Sequence, residues 1–198
     1  MKNRIEDIIK ENIETSSKLL DRSIENIEKI SNTIIDVFRN KKKLLIFGNG
    51  GSAADAQHIA AEFINKFKFD RDPMPAIALT TDTSIISSIS NDSSFSHVFE
   101  KQIKALGNEG DIALAITTSD TSFEENGHSS NIALALKVAK EKGMKTIGFV
   151  GERSEDILNL LDHYIMVPSK ETPRIQETQI LIAHIICEIV ESTLYNQK

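Results

Sequence analysis

At 198 residues, with 40% hydrophobic and 26% charged side chains, the chain has the size of one ordinary domain and enough apolar content to bury a core without staples. Its net charge of −6, from 29 acidic against 23 basic residues, excludes generic nucleic-acid binding, which needs a basic face to displace counterions. One cysteine excludes an internal disulfide, and no apolar run approaches the ~18 residues of a membrane span, so a soluble cytoplasmic protein with a reduced thiol is expected. The opening MKNRIEDIIK has charges every few residues and does not read as a signal peptide. Cys187, set among Ile185, Ile186 and Ile189, reads as a buried small hydrophobe rather than a nucleophile.

The first 47 residues contain neither Gly nor Pro. Within them Ile5, Ile8, Ile9, Ile13, Leu19, Leu20, Ile24, Ile27, Ile30, Ile34, Val37 and Phe38 recur at spacings of three and four, which predicts one long helix with a single apolar stripe. Such a helix outruns the domain it packs on, so part of the stripe is expected to meet another subunit. From residue 44 short aliphatic runs alternate with helical patterns. Strands are expected at Leu44–Phe47, Ala76–Leu79, Ile112–Thr117, Thr146–Val150 and Tyr164–Val167. Helices are expected at about Ser52–Lys66, in short pieces up to Leu106, and at Ser130–Glu141, Ser154–Leu161 and Thr172–Leu194. The alternation predicts one α/β domain over 1–198: a five-stranded parallel sheet flanked by helices in three layers, with long N- and C-terminal helices.

Open α/β sheets bind ligands at the carboxyl ends of their strands. Three features are placed there. Gly48-Asn49-Gly50-Gly51-Ser52 is a strand-to-helix turn whose glycines allow close backbone approach and whose Ser52 suits a helix cap. It lacks the lysine and spacing of a nucleotide P-loop. Thr117-Thr118-Ser119 also follows a strand, with Gly127-His128-Ser129-Ser130-Asn131 close behind; clustered hydroxyls at a helix start suit a phosphate monoester. His58 and Glu62 share a helix face at a spacing of four, while Gln176 and His184 lie on the last helix. On spacing alone a solvated His58/Glu62 pair and a core His184 remain open alternatives.

These residues carry a resemblance. Gly48 to His58 with Ala60-Ala61-Glu62, then Leu79-Thr80-Thr81-Asp82-Thr83-Ser84, Asn91-Asp92 and Arg174-Ile175-Gln176-Glu177 with His184, resemble the motifs of phosphoheptose isomerases. These are the sedoheptulose 7-phosphate isomerases of the sugar isomerase (SIS) superfamily. The resemblance runs from the N-terminal helix to about residue 194. It implies a single SIS domain, with 1–40 as an oligomerisation helix, and a homotetramer with active sites built between subunits. It also implies interconversion of a phosphorylated seven-carbon sugar, early in the route to activated heptose for surface polysaccharide such as lipopolysaccharide or capsule. Glu62 and His184 would be the catalytic acid–base pair, and His58, Glu62, Gln176 and His184 would hold one zinc ion per subunit. Asn49, Gly50, Gly51, Ser52, Glu62, Asn91, Asp92, Thr117, Thr118, Ser119, Ser129 and Gln176 would contact substrate.

Eight helical residues span ~12 Å, so Gln176 and His184 share one ion only if both extend fully, if they come from different subunits, or if Gln176 lies in an irregular first turn. The chain also departs from the family pattern. Thr117 replaces a serine, His128 an asparagine and Gln179 a histidine, Pro173 stands at a frequent alanine, and Asp120 to Asn126 is inserted in the phosphate loop, bringing Glu124 and Glu125. Two other readings follow: an aldose–ketose isomerase for another phosphosugar, and a non-catalytic SIS protein similar to the relative that binds a replication initiator. That relative lacks the carboxylate and the imidazole that this chain carries at Glu62 and His184.

Overall fold

The computed structural model describes residues 1–195 apart from Ser122, Phe123, Glu125, Asn126 and His128. The N-terminal stripe folds as three pieces: α1 (Lys2–Ser17), α2 (Leu19–Arg22) and α3 (Ile24–Arg39). The single helix expected over this stretch is therefore corrected. Lys18 keeps helical dihedrals, so the break there is slight, but buried Ser23 leaves the helical region at φ −128° and redirects the chain. The turn divides the stripe. Ile27, Ile30, Ile34 and Val37 are buried against the domain, whereas Ile5, Ile9 and Ile13 stay exposed along one face of α1.

The remaining elements alternate as the sequence pattern predicts. They are β1 (Leu44–Gly48), α4 (Gly51–Ile64), β2 (Ala76–Ala78), α5 (Thr83–Asp92), α6 (Val98–Leu106), β3 (Ile112–Ile116), α7 (Ser130–Glu141), β4 (Lys145–Gly151), β5 (His163–Val167) and α8 (Thr172–Tyr195). Residues 95–97 and 155–160 form 3-10 turns; the second replaces the α-helix expected over Ser154–Leu161.

All five strands pair in parallel, in the order β2-β1-β3-β4-β5. Alternate strand residues enter opposite cores. Leu44, Ile46, Ile112 and Leu114 pack with α3, α4 and α8, while Leu45, Phe47, Ala113 and Ala115 pack with α6 and α7. β1 and β3 are neighbours in register, Gly48 opposite Ile116, yet the chain leaves β1 toward β2 and returns past it to build β3 and β4. That reversal opens a crevice at the carboxyl ends of β1 and β3, the usual ligand position in such sheets.

Candidate active site

Helices α4 and α8 lie side by side and run in the same direction. Contacts ascend both together: Gln176 lies on Gly51, His184 on His58, and Glu191 on the backbone at Phe67. The spacing of four that puts His58 and Glu62 on one face of α4 brings His58 Nε2 within 3.0 Å of Glu62 Oε1. His184 Nε2 arrives from α8 at 3.3 Å from His58 Nε2, its ring flanked by Phe67 at 5.6 Å. The exposed and half-buried side chains of His58, Glu62 and His184 therefore converge, with one ligating atom from each lying within 4.8 Å of the other two. His184 is thus not a core histidine, and the His58/Glu62 pair is not an isolated surface pair.

This donor set fits a divalent cation. An imidazole Nε2 carries at most one proton, so His58 cannot satisfy both Glu62 and His184 by ordinary hydrogen bonds, whereas a cation between them would satisfy all three. Zinc bonds of about 2.0–2.2 Å in tetrahedral array put ligand atoms about 3.3–3.6 Å apart, close to the two short edges here. The structure does not bring Gln176 to the trio along with them. α8 is regular through this stretch, and the Gln176 amide rests where a Cβ on Gly51 would stand, 2.3 Å from its Nε2. Gly51 lies about 10 Å down α4 from His58, at the start of the helix.

The far end of the two helices is clamped. Glu191, 1% exposed, accepts from the backbone N–H groups of Phe67, Lys68 and Phe69 and from Arg71 Nε at 3.0 Å. Arg71 in turn donates to the carbonyls of Glu62 (2.9 Å) and Phe63 (2.7 Å), fixing the backbone beneath the Glu62 carboxylate. Burial pushes the Glu191 carboxyl up, but the three N–H bonds and Arg71 outweigh it and hold it below the usual carboxylate range. Cys187 is buried beside this clamp; burial, with Glu62 close by, pushes its thiol up to about 12 and leaves it inert. Asp55, three residues before His58, is held above the carboxylate range by burial, which the nearby His58 partly opposes. Its Oδ2 has no partner among the described residues.

At the other end of the crevice, the glycine turn does not use Ser52 as a cap. Gly50, at φ +56°, is the cap residue, and Ser52 is the buried second residue of α4, packed under Gly48. Asn49 forms a reciprocal amide pair with Asn131 in the first turn of α7, at 3.0 and 2.9 Å. Around that pair lies a cavity of about 180 Å³ lined by Asn49, Ser94, Ser96, Ser129, Ser130 and Asn131, among others. Ser129 caps α7 in the left-handed region, φ 50°. Thr117, Thr118 and Ser119 follow β3 beside the crevice but do not line this cavity. Asn91 and Asp92 end α5, exposed and hydrogen-bonded to one another at 2.8 Å. Glu124 is exposed; Glu125 and His128 lie outside the described residues.

Sequence reasoning missed Arg71, Glu191 and Asn131 as supports of the site. Asn131 stood in the quoted Gly127–Asn131 segment, and a polar residue in the first turn of a helix facing a glycine turn was the available signal. Arg71 and Glu191 are 120 residues apart, and nothing local links them.

A family model described as SIS domain matches residues 9–151. The phosphoheptose isomerase of Clostridium acetobutylicum is 49% identical, over 100% of this chain and 98% of the relative. That of Aneurinibacillus thermoaerophilus is 46% identical, over 97% and 96%. Among solved structures, the phosphoheptose isomerase of Neisseria gonorrhoeae superposes with a TM-score of 0.87 at 36% identity, covering 96% of this chain and 98% of that one. The enzyme from Francisella tularensis gives 0.87 at 32% identity, with 97% and 98% covered.

Proposed function

The chain belongs to the SIS domain family and is an aldose–ketose isomerase of its phosphoheptose isomerase group; from that premise we propose how its own residues interconvert D-sedoheptulose 7-phosphate and D-glycero-D-manno-heptose 7-phosphate. The observation that carries the reading is the convergence of Glu62 and His184 from two parallel helices beside the crevice. From the ketose, the Glu62 carboxylate takes a proton from C1 while His184 delivers one to the C2 carbonyl oxygen, giving the 1,2-enediol. Glu62 then returns its proton to C2, and the O1 proton leaves to His184 as the C1 aldehyde forms. Asn49 and Asn131 hold the glycine turn in place, Gln176 lies over Gly51 between the reacting end and the phosphate end, and Ser52, Asn91, Asp92, Thr117–Ser119 and Ser129 bind the sugar phosphate. His58, Glu62 and His184 would hold zinc, with Gln176 as a fourth ligand. When bound, the ion supplies polarisation of the carbonyl and stabilisation of the developing oxyanion. The non-catalytic alternative is not favoured, because the carboxylate and both imidazoles are assembled.

In this reading the chain is a single SIS domain over 1–198, residues 1–40 serve oligomerisation and the enzyme is a cytoplasmic homotetramer whose product feeds surface polysaccharide. Exposed Ile5, Ile9 and Ile13 on α1 support the assembly, as does a groove of about 570 Å³ lined by Leu20, Ile24, Ile185 and Ile189, among others. Among the described residues no helix is long and apolar enough to cross a membrane.

The deciding experiment is NMR of sedoheptulose 7-phosphate incubated with zinc-replete protein in heavy water. Aldoheptose 7-phosphate carrying deuterium at C2 is expected. Folded protein giving neither product nor exchange would overturn the substrate assignment. Elemental analysis of dialysed protein checks the metal, with one zinc per chain expected and its loss in His58→Ala. Light scattering at micromolar concentration checks the assembly, and a 22.0 kDa species would refute it.

A further inference from the structure

The Thr117–Ser119 turn is held from behind by residues to which the chemistry above assigns no part. Gln179, 1% exposed on the inner face of α8, donates from Nε2 to the carbonyls of Thr117 and Phe149, 3.0 Å each. Ser154, fully buried just before the second 3-10 turn, donates from Oγ to the Ser119 carbonyl at 2.8 Å. Between them Gly151 ends β4 against Thr118. A Cβ at Gly151 would stand 3.1 Å from the Thr118 oxygen and 2.8 Å from Ile175 Cδ1. Three successive carbonyls thus rest on one wall built from the ends of β4 and α8.

In a trans peptide the C=O and the following N–H point in opposite directions. With the carbonyls of Thr117, Thr118 and Ser119 against the wall, the N–H groups of Thr118 and Asp120 are turned away from it, while the Ser119 N–H donates to Thr117 Oγ1 at 3.4 Å. Backbone N–H groups turned outward from a fixed turn offer donors to an anion. The Gln179 amide is oriented for this task alone. Both its donors serve carbonyls, and its Oε1, buried, has no partner among the described residues. A methionine would fill the same volume without stranding an acceptor, so what the amide adds is its two donors.

We propose that Gln179 and Ser154 are positioning residues for phosphate binding: they orient the Thr117–Ser119 turn so that its outward-facing N–H groups, those of Thr118 and Asp120, meet the anion. The proposal rests on the phosphate reading of that turn. Its test measures inorganic phosphate binding by calorimetry, together with kcat, KM and the unfolding midpoint, on Gln179→Met, Gln179→His, Ser154→Ala and Ser154→Thr. Gln179→Met is expected to raise the phosphate Kd and the sugar phosphate KM together, by about tenfold for two lost hydrogen bonds, with kcat within about twofold. Gln179→His, which keeps a ring N–H, and Ser154→Thr, which keeps the hydroxyl, should recover most of the affinity. Ser154→Ala gives the same pattern at smaller size and decides the matter if Gln179→Met fails to fold. Lower midpoints with unchanged phosphate Kd in Gln179→Met or Ser154→Ala would overturn the proposal and leave the phosphate reading standing. Wild-type protein that does not bind phosphate at all would overturn that reading instead.

Discussion

The two ends of the crevice are built on different principles. The His58/Glu62/His184 end stands on two helices that run on past it in both directions, so its geometry is set by helical spacing and by the parallel packing of α4 on α8. The phosphate end is assembled from the turn after β1, the turn after β3 and the start of α7, none of which has a repeat to hold its shape. Helices carry a rigid reacting centre on their own backbone hydrogen bonds; turns need outside contacts to aim them. The largest test of this contrast is Glu62→Gln. It keeps the size of the side chain and the helix that carries it but removes the base, so kcat should fall by about 10²–10⁴-fold with the unfolding midpoint retained. Unchanged turnover would take Glu62 out of the mechanism.

The helix-borne end still depends on one remote clamp. Glu191→Gln leaves Arg71 buried without its counter-charge and removes one carboxylate oxygen from the three N–H groups that share it. A loss of about 3–5 kcal/mol is expected, read as a drop in the urea midpoint. The next test separates activity from stability at the point where the two ends meet. Gly51→Ala puts a methyl group where the Gln176 amide now rests, and that flexible side chain must swing aside. The substitution should raise stability slightly, because alanine favours a helix over glycine by up to about 1 kcal/mol. It should also lower kcat/KM by about ten- to a hundredfold through misplacement of Gln176. A variant that is both stable and fully active would show that Gln176 plays no part at the Gly51 end.

The difference between the two ends also decides what could be read from the sequence. Every strand and the helices from α4 onward were legible, because short aliphatic runs and the 3.6-residue period are local patterns; the helix expected over Ser154–Leu161 is the exception, a 3-10 turn. The His58/Glu62 pair was legible for the same reason. The break at Ser23 was not: the apolar spacing continues through it, and only the need to split the stripe between the domain and an outward face turns the chain there. The assignment of a cap to Ser52 failed because Gly50 reaches a positive φ and caps the helix two residues earlier. His184 was ambiguous among isoleucines until α4 and α8 were seen side by side. Glu191, Gln179 and Ser154 act on backbone atoms 30 to 124 residues away, and side chain-to-backbone pairing over such distances leaves no pattern in the sequence.

The smallest effect distinguishes the ends by pH. Glu191, the clamp of the helix-borne end, is held below the usual carboxylate range, so the unfolded chain takes up its proton first as pH falls. Its contribution is complete above the unfolded value near 4.3 and is lost as pH drops through the lower folded value. Glu191→Gln cannot titrate, so the stability gap between wild type and this variant should be constant near neutrality and narrow below about pH 4. Asp111 is also lowered: burial pushes it up, but bonds from Lys43 and the Asn108 N–H outweigh that. It is present in both proteins and cancels in the gap. The anchors of the phosphate end, Gln179 and Ser154, are neutral and carry no such dependence. Amide exchange at Phe67–Phe69 should therefore quicken relative to Thr117–Ser119 as pH falls through the Glu191 transition, after correction for intrinsic rates. Equal change at both segments would mean that the clamp and the turn open together, and that the two ends of the crevice are one cooperative unit.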